Sequence, residues 1–310
     1  MKKIILVFLL ICVALLAFTY LYIPNYISLK AQTRIIVSEN GLKRELLTET
    51  RLSKWWPAAN ASDSLLQYKN TSYKVVDKNF DGLIFLMESS SKTIKGTLSV
   101  FPSSKDIMDI TWESKMATSW NPFLRWKYFT ASRQFKSNMQ ELLETLKRFY
   151  DNGVNIYGID IRKELVMDSN LIFTSAEVKG YPTMEYVYGE VDKLEKYAGS
   201  KFAQVSGLPM LNINTTDSIN YLVKVAVPVN KMLPSSGDIS YRWMLGRGNI
   251  LIAEIKGGND RILHAFKQME QYASDYNRVA PAIPFQSLVT NRLLEKDSSK
   301  WVTRVCYPVM

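Results

Sequence analysis

The chain has 310 residues, 47% hydrophobic and 12% aromatic, which is enough for two ordinary domains and excludes a disordered polypeptide. Its net charge of +10 comes from basic residues scattered without a run of four or more, so a generally basic surface is expected and no nucleic-acid partner is. Two cysteines, Cys12 and Cys306, exclude a disulfide framework, and the one histidine, His264, leaves a zinc site or a Ser-His-Asp triad to be built around that residue alone; no metal or cofactor is expected.

Lys2 and Lys3 precede an uncharged run over residues 4–23, which Pro24 and Asn25 end. Such a run can cross the roughly 30 Å hydrocarbon core of a bilayer as a helix. Ala17-Phe18-Thr19 is a poor cleavage site, and Ile11 before Cys12 argues against a lipoprotein cysteine, so residues 1–27 are expected to be an uncleaved anchor. The lysines stay in the cytoplasm under the positive-inside rule, which places later residues on the periplasmic side of a bacterial inner membrane in a single-pass topology.

Residues 28–152 read as a strand over 29–37, a helix capped by Ser38 or Asn40 and running through Leu42, Leu46 and Leu47 towards Trp55-Trp56-Pro57, then strands over 72–77, 83–89, 93–101 and 106–113. Asp81-Gly82 and Pro102-Ser103-Ser104 supply turns. A closing helix carries the apolar stripe Met139, Leu142, Leu143, Leu146, Phe149 and Tyr150, and Asp151-Asn152-Gly153 ends it. This order of elements, with Trp55-Trp56-Pro57, resembles the helix-grip fold of the SRPBCC (START/polyketide-cyclase-like) superfamily. The resemblance implies a cavity for apolar small molecules between the long helix and a curved sheet. The alternative is that Trp55, Trp56 and the helix stripe fill a small core.

Residues 153–170 read as a linker, and residues 171–310 contain one segment twice. Residues 217–229 lie over 297–309 without a gap, at a shift of 80 residues, with Asp, Ser, Val, Pro and Val identical. A helical stretch precedes each copy: Val191, Leu194, Ala198, Phe202 and Val205 in the first, Ile262, Phe266, Met269, Ala273 and Tyr276 in the second. The first copy reads as strands over 171–179 and 183–188, a helix over 191–206, and strands over 210–214 and 219–228. The second reads as strands over 238–243 and 250–256, a helix over 260–276 capped by Asn259, and strands over 285–290 and 300–308. Neither copy can bury its sheet face alone, so the two should pack as one pseudo-symmetric domain with a ligand groove between them. The fold class is therefore α+β, a helix-grip antiparallel sheet domain followed by a pseudo-twofold duplicated domain.

The repeat, the Pro-Val closing each copy and Ala280-Pro281-Ala282-Ile283-Pro284-Phe285 resemble the GyrI-like, or effector-binding, domain, a relative of the SOUL haem-binding fold. That resemblance implies a ligand cleft about a pseudo-twofold axis. Family members bind cationic or apolar drugs, inhibit DNA gyrase or, in one branch, hydrolyse strained electrophiles. Where cation-binding members carry a glutamate before the closing Pro-Val, this chain has Lys224 and Arg304. A cleft lined by them would accept an anionic or neutral amphipathic molecule; the alternative is that each is solvated or paired with an acid such as Glu254 or Glu185. Tyr186, Tyr188, Trp243 and Trp301 are candidate aromatic walls, though each reads more readily as core. Glu254, mid-strand among apolar neighbours, is the weak candidate for a general base. His264 falls in the second amphipathic helix, where a structural role is expected. No phosphate-binding glycine loop, metal cluster or nucleophile elbow occurs. The expected function is binding or sensing of a small molecule by a membrane-anchored protein. Alternatives are a hydrolase of electrophilic small molecules and a topoisomerase inhibitor or transcription regulator. The anchor's orientation and the lack of a helix-turn-helix speak against the last.

Overall fold

The computed structural model describes residues 2–47, 52–57, 65–167, 170–244 and 246–310. The chain forms two compact units, Met1–Asn152 and Gly153–Met310. The first opens with helix α1 (Lys2–Tyr22), which is long and apolar enough by length and composition to cross a membrane. Strand β1 (Tyr26–Ile36) follows, then α2 (Glu39–Leu46), whose N-cap Ser38 accepts from the Gly41 amide at 3.1 Å.

Five further strands, β2 (Leu66–Tyr68), β3 (Thr71–Asn79), β4 (Gly82–Ser89), β5 (Thr93–Ser104) and β6 (Ile107–Ala117), complete an antiparallel sheet ordered β1-β6-β5-β4-β3-β2. The unit closes with α3 (Pro122–Tyr150), a helix-grip arrangement. Its buried Phe135, Met139, Leu142, Leu143 and Leu146 recur at steps of three and four. Trp55 and Trp56 are buried; Trp56 meets Tyr73 edge-on at 5.0 Å and stacks on Phe85 at 6.0 Å, and those two rings in turn pack on Trp112 at 5.9 and 5.0 Å. These tryptophans belong to the core. Residues 48–51, on the expected course of the α2 helix, lie outside the described residues.

The second unit opens with α4 (Gly153–Tyr157), then runs twice through a short strand, a longer strand, a helix and two strands. The first pass is β7 (Arg162–Leu165), β8 (Asn170–Lys179), α5 (Met184–Ser200), β9 (Met210–Thr215) and β10 (Asn220–Pro228). The second is β11 (Ser240–Trp243), β12 (Asn249–Lys256), α6 (Asn259–Asp275), β13 (Phe285–Leu288) and β14 (Val302–Val309). All eight strands form one antiparallel sheet, β11-β8-β10-β9-β13-β14-β12-β7. The order is a palindrome of equivalent strands about the central β9–β13 pair, where Gln286 lies opposite Leu211. Each short strand pairs in the other copy: β7 extends β12, and β11 extends β8. The helices end alike, with Phe202 and Asn277 at φ of 54° and 51°, and the next amide closing back at 2.9 Å to Ala198 and 2.8 Å to Ala273.

Three expectations are corrected. Residues 153–170 are no featureless linker, because they hold α4 and the edge strand β7; Asp168 and Ser169 lie outside the described residues. Residues 184–188 are helical, because the Thr183 side chain accepts from the Tyr186 amide and starts α5 there. Gly258, which offers no side-chain cap, occupies the N-cap of α6, so Asn259 is already helical.

Candidate ligand groove

On β10, Val223, Val225 and Val227 pack beneath α5 against Val187, Val191, Leu194 and Ala198. Alternation then turns Lys224 and Ala226 to the opposite face of the sheet. The face bearing the helices carries a groove of about 540 Å³ where the two copies meet. Its floor is Leu211, Ile213 and Gln286, and α6 supplies one wall through Asn259, Ile262, Leu263 and Phe266, with Lys267 and Glu270 beyond. Tyr181, Tyr221 and Tyr307 add aromatic surface; Tyr181 and Tyr221 meet edge-on at 5.6 Å.

Polar groups in and behind this lining lack partners. The Asn259 Oδ1 is buried and unbonded, and the first turn of α6 has no side-chain cap. Behind Gln286 lies Arg292, 3% exposed. Its Nη2 donates to Gln286 Oε1 at 2.9 Å and Thr303 Oγ1 at 2.7 Å, and the guanidinium sits 4.8 Å over the Trp301 ring. Nε and Nη1 have no acceptor, and among the described residues no carboxylate forms an ion pair with Arg292. Burial lowers the Arg292 pKa, opposed by Tyr188 and Tyr181. Burial also raises the Tyr181 phenol, against the pull of Arg292.

Of the residues singled out from the sequence, Tyr188 and Trp301 gather around Arg292. The Tyr188 hydroxyl accepts from the Arg292 amide at 3.0 Å and donates to the Thr290 carbonyl at 3.2 Å. Tyr186 is half-buried and packs on the core beneath α5. Lys224 lines a smaller hollow of about 140 Å³ on the opposite face of the sheet, with Phe173, Arg242 and Phe285 among its neighbours. Arg304 holds the equivalent position on β14, opposite Glu254 and Ser287 in register. The structure does not bring Lys224 and Arg304 together, since β10 and β14 lie three strand spacings apart, roughly 14 Å between backbones. Glu254 and Trp243 are exposed, and neither lines the groove. His264 is exposed on α6. Arg292 carries no sequence signal, because it sits in a loop whose neighbours, Asn291 and Leu293, give no periodic sign of burial.

No family model matches the chain, and no curated protein does. Among solved structures, the C-terminal domain of EcmrR is 15% identical, aligned over 49% of this chain and 98% of that one, with a TM-score of 0.39. A hydrolase from Listeria innocua is 12% identical over 48% of this chain and 92% of that one, at 0.37. The di-domain ARO/CYC protein BexL is 10% identical over 92% of this chain and 85% of that one, at 0.33. These scores are low, and the reading of the groove rests on its own residues.

Proposed function

We propose that the second unit is a GyrI-like ligand-binding domain whose groove takes a small molecule with an apolar body and an anionic group, held by a membrane anchor at α1 with both units in the periplasm. The observation that carries the ligand reading is Arg292. A buried cation without an acid costs several kcal/mol; Arg292 lies one hydrogen bond behind the groove, through Gln286 in its floor, and a carboxylate, sulfonate or phosphate of a ligand lying over Gln286 would offset part of that cost. The first turn of α6 opens on the same groove at Asn259 without a side-chain cap, and its amides favour the same charge alongside that of Asp260 in the same turn. Binding is favoured over hydrolysis because the groove shows no nucleophile and base in hydrogen-bond contact among its described lining residues.

The test is calorimetric titration of the full chain in lipid nanodiscs, corrected for empty discs, with phenylhexanoate and phenylhexylammonium, which share a body and differ in charge. The carboxylate should bind at least about tenfold tighter, the equivalent of about 1.4 kcal/mol. In Arg292→Met the preference should vanish. Equal affinity for both ions in the wild type overturns the anion reading; an ammonium preference would place the ligand's charge opposite Glu270.

A further inference from the structure

We propose that the foot of α3 is an interfacial membrane contact: Trp120, Phe123 and Trp126 sit among the lipid headgroups around the point where α1 leaves the bilayer. The inference rests on α1 spanning the membrane, and it assigns a lipid surface to residues that nothing in the groove uses.

The topology of the first unit supplies the geometry. β1 pairs with β6 in unbroken register from Tyr26 opposite Ala117 to Ile36 opposite Ile107. Its eleven residues span roughly 35 Å, whereas the 29 residues of α3 span about 43 Å. The C-terminal end of α3 is held at the Ile36 end of the sheet, where Asp151 accepts from the Ile36 amide at 2.9 Å. The excess length, about a turn and a half, therefore stands out at the Tyr26 end, where α1 enters. Of the first nine residues of α3, from Pro122 to Thr130, only Arg125 is buried.

At that end the two helices are clamped together. The Arg125 Nε donates to the Ile23 carbonyl at 2.9 Å and its Nη2 to Asn25 Oδ1 at 2.9 Å, and the guanidinium lies 4.9 Å over the Tyr20 ring. Trp126 Nε1 donates to Thr19 Oγ1 at 3.0 Å, Tyr22 meets Phe129 edge-on at 5.6 Å, and the Tyr20 hydroxyl donates to the Trp120 carbonyl. The collar around the end of α1 thus consists of Tyr20, Tyr22, Trp120, Trp126 and Phe129; Trp120 is 83% exposed, and Phe123, in the first turn of α3 between Trp120 and Trp126, is 85% exposed.

Their exposure would be costly in water and is satisfied at a headgroup boundary, where amphipathic rings concentrate. The surface is continuous with the exposed apolar face of α1, which fixes the occupant as the bilayer. Charge agrees. From Pro122 to Gln140, α3 carries Arg125, Lys127, Arg133 and Lys136 and no acid, while Lys92 and Lys115 stand at the same end of the sheet beside Tyr128 and Tyr26; Glu88 is an acid at that end. A basic, aromatic rim suits anionic phospholipid.

The test places a nitrobenzoxadiazole label at Phe123→Cys, at Trp120→Cys and, as control, at Phe80→Cys, each in the full chain with Cys12→Ala and Cys306→Ala. Phe80 is 82% exposed in the β3–β4 turn, at the opposite end of the sheet. The proteins are reconstituted into phosphatidylethanolamine–phosphatidylglycerol vesicles with and without headgroup-depth nitroxide lipid. Labels at 123 and 120 should show blue-shifted emission and lose most of their intensity to the nitroxide, and the label at 80 should do neither. Carbonate-resistant chain whose labels at 123 and 120 behave like the one at 80 overturns the contact and leaves the anchor standing. Chain that carbonate strips from the vesicles overturns both.

Discussion

Glu141, on α3, accepts hydrogen bonds from Lys69 Nζ at 2.7 Å, the Tyr68 hydroxyl at 2.6 Å and Ser137 Oγ at 2.9 Å, tying the long helix to the β2–β3 turn. Those donors, Lys69 foremost, hold its carboxyl down to about 2, and the same bond pushes the Tyr68 phenol up to about 12. A depressed carboxyl contributes stability that is complete above its ordinary value of 4.5 and is lost as pH falls towards about 2. Glu141→Gln should therefore flatten the acid limb of the stability profile between those values, read by urea unfolding at each pH. Phe202 carries a different cost. It holds the left-handed position that closes α5, while Asn277 does so for α6. Asparagine tolerates that region and phenylalanine does not, so Phe202→Gly should stabilise the protein by about 1 kcal/mol and Asn277→Gly by only a few tenths, compared as Tm shifts.

At the level of elements, what could be read from the chain followed the strength of the local signal. The repeat was visible because residues 217–229 and 297–309 align through a patterned strand and a Pro-Val ending, and β10 and β14 do occupy equivalent places in the sheet. The stripe along α3 was likewise plain, since Met139, Leu142, Leu143 and Leu146 are fully buried. β7 was hidden because its four residues are all exposed and owe their strand state to hydrogen bonding with β12, some 85 residues on. The start of α5 was missed because Tyr186 and Tyr188 alternate around Val187 like a strand, yet the Thr183 cap decides the backbone. For the groove, the sequence offered Lys224 and Arg304 as the cations, and neither lines it. Arg292 carries no such sequence signal, since its burial depends on Gln286, Tyr188, Trp301 and Thr303 arriving from three other elements and a loop.

Across the molecule, the reciprocal exchange of β7 and β11 means that each half of the second unit finishes a sheet it does not own. Cutting the chain in the exposed stretch between Ser236 and Gly237 would leave one piece ending after β10 and another beginning with β11. Each piece then lacks an edge that only its counterpart carries, so the two should act as complementary fragments: co-expressed, residues 1–236 and 237–310 should copurify, and deleting residues 240–243 from the second should sharply weaken the pairing. A single half meeting a second copy of itself would face the same bargain, and its natural form would be a closed twofold dimer. In that light the second unit is a dimer written on one strand of polypeptide, whose two halves are free to carry different residues at equivalent places, as they do at Lys224 and Arg304 and at Phe202 and Asn277.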